Sequence, residues 1–371
     1  MIYWFHTGLL LRIAGAAVVS YLIVMALGPT MIRFLIRKKM GDRPEFNHAD
    51  LNELTRSKGN TPTMGGILIV ISVGFSTMLF ANLGNMYIRM GLFGFFCLGI
   101  LGGVDDWMKL RHSAGQSNRD GLRSWQKILF QICLAVLIGV FMYRYGSQSQ
   151  VVNSEGIIEL PSHQLYLPFV SSAIYLPLFA YVLIVIATMV GASNAVNLTD
   201  GMDGLAPGCV VITTAVFLLL AWIAGVQEWS GTFHLPLVLG AEEMTILCAS
   251  ILGACIGFLW YNANPAQVFM GDTGSLPLGG LLGFIAIVIR QESLLVIAGG
   301  VFVMETMSVI LQVGYFKITR RRSGEGKRLF RIAPIHHHFH LGGWAEPKVV
   351  VRFWLMGIIF AVLALATLKL R

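Results

Sequence analysis

Apolar residues in this chain gather in long unbroken runs, not at the spacing of a one-sided helix or in the alternation of a half-buried strand. Polar residues collect between the runs. Ten runs come close to the roughly 20 residues a helix needs to cross a bilayer. They extend from Ala14 to Ile36, Met64 to Ala81, Ile88 to Val104, Ile128 to Tyr145 and Ala173 to Val190, then from Gly208 to Gly225, Met244 to Tyr261, Leu276 to Ile289, Leu294 to Tyr315 and Val349 to Leu368. The eighth is short and starts after Gly274. The pattern predicts an all-α polytopic membrane protein of about ten transmembrane helices. With no repeat or low-complexity tract, residues 1–371 read as a single domain.

Composition supports lipid as the solvent. Only 12% of the 371 residues are charged and 56% are hydrophobic, too few charges to cover a soluble globule. Cys97, Cys133, Cys209, Cys248 and Cys255 all fall inside apolar runs without a metal-binding spacing, so they read as small buried residues. Arg12 precedes an apolar run too long for a cleaved signal peptide, which predicts a retained first span.

Charge then orients the bundle. Nineteen Lys and Arg residues fall in three loops, around residues 37–58, 109–127 and 317–348, against six on the opposite side. Positive loops stay cytoplasmic, so both termini are expected outside. The net charge of +8 is therefore a topology signal, and no nucleic-acid partner is expected. All eight aspartates, Asp42, Asp50, Asp105, Asp106, Asp120, Asp200, Asp203 and Asp272, fall on the basic side, whereas the outer loops carry only glutamates. Topology does not require this, because acids contribute little to orientation. Short carboxylates on a basic face suggest a site for a metal and an anion.

Three motifs carry five of the eight. "GGVDDWMK" ends the third run with Asp105 and Asp106 side by side, where mutual repulsion and desolvation argue against an unpaired structural role. Lys109 stands one helical turn from Asp105, so an ordinary i,i+4 pair is the bland alternative. "NAVNLTDGMDGL" sets Asn197, Thr199, Asp200 and Asp203 between two spans with no Lys or Arg. Capping explains one or two of these residues but not all. "WYNANPAQVFMGDTGS" holds Asp272 between glycines ahead of an apolar helix, with Asn262 and Phe269 as an amide and an aromatic face suited to a nucleobase. Taken alone, Phe269 is more often a core or lipid-facing residue.

Glu305 interrupts the ninth run, with Ser308 and Gln312 on its face. It reads as a functional group or as a polar seam between helices. "IAPIHHHFH" places His336, His337 and His338 in a row. Adjacent side chains diverge and cannot share one metal, so contact with phosphate oxygens or proton transfer suits them better. Mg²⁺ is typically held by one or two carboxylates together with substrate phosphates. Carboxylates from separate loops of a basic membrane face thus suggest a soluble phosphate-containing donor and a lipid acceptor.

"TPTMGG", "GGVDDWMK", "GASNAVNLTDGMDGL", "NPAQVFMGDTGS", "ETMSVILQV" and "RIAPIHHHFH…GWAEPKVVVRFW" together resemble the bacterial phospho-N-acetylmuramoyl-pentapeptide transferases of the polyprenyl-phosphate N-acetylhexosamine-1-phosphate transferase superfamily. The resemblance runs from Arg37 to the C-terminus. Met202, where the family usually has Leu, is a volume-conserving departure. It implies ten transmembrane helices in the inner membrane, periplasmic termini, a cytoplasmic active-site cleft and a homodimer. The implied reaction transfers phospho-MurNAc-pentapeptide from UDP-MurNAc-pentapeptide to undecaprenyl phosphate with Mg²⁺, giving lipid I and UMP. Carried onto matching positions, Asp272 is the principal Mg²⁺ ligand, with Asp105 and Asp106 beside the diphosphate and lipid phosphate. Lys58, Asn197, Asp200, Asp203, Asn262 and Phe269 are assigned to substrate binding, and Lys109, Lys127 and His336 to His338 to the phosphate or sugar groups.

Two other readings stay open on residues alone. One is a sibling transferase handling UDP-GlcNAc, against which the "APIHHHFH" loop argues. The other is a secondary transporter, whose carboxylates would be expected within the spans.

Overall fold

The computed structural model describes residues 8–38, 61–113, 121–146, 151–152, 158–159, 163–170 and 173–370. The long helices are Leu9–Arg37 (α1), Gly66–Phe80 (α2), Met86–Ser113 (α3), Ser124–Tyr145 (α4), Leu178–Thr199 (α5) and Leu205–Gly225 (α6). A short Gln227–Thr232 (α7) leads to Met244–Asn262 (α8) and Asp272–Val288 (α9). Glu292–Ala298 (α10), Gly300–Ser323 (α11), Ile335–Leu341 (α12) and Glu346–Ala366 (α13) complete the chain. Among the described residues, eight helical segments are long and apolar enough to cross a membrane, and α2 and α9 are shorter apolar helices. The protein is therefore all-α and multi-pass.

Helix α9 lies at the centre of the bundle. Every residue from Asp272 to Val288 is buried, which accounts for a helix apolar on all sides. It packs against α5 and α3 and touches α2 and α6. The contact with α5 is backbone-close: a Cβ on Gly279 would strike Ala192, and one on Gly283 would lie 2.9 Å from the Thr188 carbonyl oxygen. This is the small-residue spacing by which helices approach in lipid.

A second layer joins α1, α2 and α8 through hydroxyls. Ser20 Oγ donates to the Ser250 carbonyl at 2.7 Å, Ser76 Oγ to the Ala16 carbonyl at 2.6 Å, and Ser250 Oγ to Ser76 Oγ at 3.3 Å. The outer surface is the reverse of a soluble protein's. Phe179, Ile100, Trp260 and Val362 are exposed, as lipid contact requires.

Three details depart from the run-based expectation. The eighth helix begins at Asp272, not Leu276, because Asp106 caps its first turn. The ninth run is divided at Gly299 into α10 and α11. The segment before α5 carries two small antiparallel ribbons, β1 (Val151–Val152) with β2 (Ile158–Glu159) and β3 (Gln164–Leu165) with β4 (Ile174–Tyr175).

Candidate active site

One end of α9 gathers the carboxylates. Asp105 and Asp106 come from the last turns of α3 and Asp272 opens α9, with ligand oxygens within 4.8 Å of one another. All three are buried. Two ammonium groups sit on them. Lys109 Nζ lies 2.7 Å from Asp105 Oδ2, 3.4 Å from Asp272 Oδ2 and 3.8 Å from Asp106 Oδ1. Lys127, from α4, lies 2.9 Å from Asp272 Oδ2 and 3.3 Å from Asp105 Oδ2. The i,i+4 pair weighed for Lys109 therefore exists, but as one edge of a five-residue cluster.

The three acids are held differently. Asp106 accepts from the Asp272 and Thr273 backbone N–H groups at 3.2 and 2.9 Å and from the Thr273 hydroxyl at 2.6 Å, satisfying orphan donors at the start of α9. Gly271, at φ +71°, allows this approach, since a Cβ there would lie 2.6 Å from Asp106 Oδ2. Asp105 Oδ1 accepts the Leu122 N–H at 2.8 Å. Asp272 Oδ1 accepts from Asn197 Nδ2 at 2.7 Å, and the same amide nitrogen reaches Ser275 Oγ at 2.8 Å. Asn197 thus fixes which way the Asp272 carboxylate faces.

Beside this cluster the loop between α5 and α6 brings Asp200 and Asp203. Burial pushes the Asp200 carboxyl up to about 8, and the nearby Asp272 and Asp106 charges act in the same direction. Asp203 is tied into a neighbouring loop: its Oδ2 accepts from Asn264 Nδ2 at 3.0 Å and from the Ala266 N–H at 3.1 Å. Its own N–H donates to Glu346 Oε1 at 2.9 Å. Asn262 bridges the same two loops, accepting the Gly204 N–H at 3.0 Å and donating to the Val268 carbonyl at 2.9 Å. Phe269 is half-buried, and its backbone pairs with Pro62 and Gly65 at 2.8 Å each. Lys58 lies outside the described residues, as do Asp42, Asp50 and Asp120.

The three histidines occupy α12 and differ from one another. His336 is wholly buried and its Nδ1 is 3.0 Å from Glu305 Oε2 of α11, also wholly buried. Its Nε2 points at Gly201, where a side chain would collide with it. His337 is buried beside it, with ring centroids 4.1 Å apart. His338 is half-buried, and its Nδ1 accepts the Arg331 N–H at 3.1 Å. Sequence reasoning passed over Thr273 and Glu346. A hydroxyl residue at a helix start was a usable signal for the first, whereas nothing local marked the second.

Comparison with known proteins decides the family. Residues 88–290 match the family described as Glycosyl transferase family 4. Over nearly its whole length the chain is similar to proteins named phospho-N-acetylmuramoyl-pentapeptide-transferase. The one from Desulfotalea psychrophila is 46% identical over 361 residues, 97% of this chain and 94% of that protein. Those from Rickettsia akari and Rickettsia bellii are each 43% identical over 356 residues, 96% of this chain and 92% of theirs. The chain belongs to the phospho-N-acetylmuramoyl-pentapeptide transferase family. The carboxylates, the two lysines on them and most of the Asp200–Asp203 loop's packing fall within the portion shared with the broader glycosyl transferase family. The α12 histidines and Glu305 lie beyond it, in the portion shared with the pentapeptide transferases.

Proposed function

We propose that this chain transfers phospho-MurNAc-pentapeptide from UDP-MurNAc-pentapeptide to undecaprenyl phosphate in the presence of Mg²⁺, releasing UMP and forming lipid I. The observation that carries the reading is the buried Asp105, Asp106 and Asp272 group with Lys109 and Lys127 upon it, in a chain 46% identical to a named transferase. The donor set suits the metal. Mg²⁺ takes carboxylate and phosphate oxygens, and the cluster offers three carboxylates to one point while already holding positive charge. Asp272 is the first candidate ligand, with Asp105 and Asp106 next. The bound ion would shield the negative charge of the diphosphate.

The chain's own groups account for the remaining steps. Lys109 and Lys127 neutralise charge that builds on the phosphate oxygens as UMP leaves. Asp105 receives both ammonium groups on one oxygen, which suits holding them in position. A phosphate monoester has its second pKa near 6, so the lipid phosphate is largely a dianion at neutral pH and needs little help from a base, with Asp105 the candidate base or positioner. The lipid phosphate oxygen forms a bond to the sugar-side phosphorus while the bond from that phosphorus to the bridging oxygen of UMP breaks. Asn197, Asp200, Asp203, Asn262, Phe269 and Lys58 are assigned to the donor nucleotide, and His336, His337 and His338 to its sugar or phosphate. The Asp203 and Asn262 bonds support a role for these two in shaping the loops proposed to enclose the nucleotide. The whole chain acts as one domain, as a homodimer in the bacterial inner membrane, with this end of α9 facing the cytoplasm and both termini in the periplasm.

UMP release is measured against Mg²⁺ for wild type and Asp272→Asn, with UDP-MurNAc-pentapeptide and UDP-GlcNAc as alternative donors. Loss of Mg²⁺-dependent turnover with the muramoyl donor is expected. Equal activity of the variant would sink the metal assignment, and preference for UDP-GlcNAc the substrate.

A further inference from the structure

A second concentration of charge lies where α11 ends. Between residues 317 and 331, seven cations (Lys317, Arg320, Arg321, Arg322, Lys327, Arg328 and Arg331) accompany one acid, Glu325. The segment after α11 is a fixed strap. Gly324, at φ +78°, turns the chain, and Thr319 Oγ1 accepts the Lys327 N–H at 2.8 Å. Gln312 Oε1 accepts the Leu329 and Phe330 N–H groups at 3.0 and 2.9 Å, while its Nε2 donates to the Phe330 carbonyl at 3.2 Å. The strap stands off α11 far enough to leave a cavity of about 490 Å³. Lys317 of the helix and Arg328 of the strap are among its lining residues, and Val313, Phe316, Ile332 and Ala333 supply apolar walls.

The cavity sits where lipid contact gives way to charge. Ile310, Leu311, Val313 and Ile318 of α11 are exposed apolar side chains, as is Leu329 of the strap, and three arginines follow at once. Membrane orientation needs only positive charge beside a span. It does not need a stapled strap, or a cavity lined by two cations together with apolar walls. A soluble anion would satisfy Lys317 and Arg328 but leave those walls in water. A lipid with an anionic headgroup satisfies both halves, because basic pockets beside transmembrane helices hold such headgroups while the chain covers apolar surface.

We propose that this cavity binds one anionic phospholipid, its phosphate between Lys317 and Arg328 and the start of an acyl chain along Val313 and Phe316. The cavity's lining shares no residue with the carboxylate cluster, and its occupancy does not depend on the reaction assigned above.

The test uses the full chain in neutral detergent, with phosphatidylglycerol and phosphatidylcholine binding counted by native mass spectrometry. Wild type is expected to hold one phosphatidylglycerol in preference to phosphatidylcholine. Each cation at a membrane surface is worth roughly fivefold in binding, so Lys317→Gln with Arg328→Gln should weaken phosphatidylglycerol about thirtyfold. Lys317→Arg with Arg328→Lys should keep it. Val313→Trp retains every charge but puts a bulky ring where the acyl chain would lie, and should displace the lipid as well. An equal loss from Arg320→Gln with Arg321→Gln would overturn the proposal in favour of diffuse surface charge. So would retention in the Val313→Trp protein, displacement by inorganic phosphate, which marks a soluble-anion site, or displacement by an equal amount of polyprenyl phosphate, which marks an acceptor site.

Discussion

Asp106 faces the same cluster as Asp105 and Asp272, yet both its oxygens are engaged by the first turn of α9. Its removal should therefore act twice. Asp106→Ala leaves buried N–H groups without partners, at about 1–3 kcal/mol for each unsatisfied donor. Thermal unfolding in detergent should register that loss, and UMP release should fall with it. Asp106→Asn, which keeps one carbonyl oxygen for the helix but turns an NH2 toward a backbone N–H, should recover part of the stability and little of the activity. Asp200 behaves differently because its carboxyl is held well above the usual value of 3.8, at about 8. A raised pKa means that the fold favours the protonated form, so stability is fully present below about 4 and declines as pH rises toward about 8. Melting temperatures of wild type and Asp200→Asn should accordingly diverge with pH, the variant lacking this decline. Parallel curves would show that Asp200 ionises freely in the fold.

At the scale of elements, α12 separates three residues that look equivalent in sequence. His336 is closed between Glu305 and Gly201, whereas His338 sits at the margin beside Arg331. Glu305→Ala leaves the buried imidazole of His336 without its partner and should lower stability by about 1–3 kcal/mol. His338→Ala, at a half-buried position, should cost less, and comparing the two melting curves checks the order. Much of this was legible beforehand. The aspartates could be assembled because topology puts every polar inter-helix segment on one of two faces, and Glu305 was marked by its depth in an apolar run. What periodicity could not supply was pairing across long separations: Glu305 with His336, Asp203 with Glu346, and Asn262 with Gly204. Nor does an apolar run register the division of α10 from α11 at Gly299, since both pieces remain apolar. Asn262 and Asp203 show the related difficulty that a residue suited to a ligand is equally suited to holding a loop.

For the whole molecule, the arrangement follows from making α9 the enclosed helix. A helix of 17 residues is about 26 Å long, short of the roughly 30 Å hydrocarbon thickness. Surrounded by protein, it need not match that thickness, so its first turn can open into a polar site while its neighbours meet the lipid. The expected orientation rests on nineteen Lys and Arg residues in three loops of the sequence against six in the others, and labelling can test it on the intact protein. Gly231, in α7 at the other end of α6 from the site, has nothing within 4 Å of where a side chain would stand. Glu325, in the basic strap, is exposed. The native cysteines all lie in membrane-spanning helices, beyond the reach of a membrane-impermeant maleimide. Gly231→Cys should therefore react in intact cells, and Glu325→Cys only after the membrane is opened. The opposite pattern would invert the molecule and put the carboxylate site on the outer side, against the orientation proposed above.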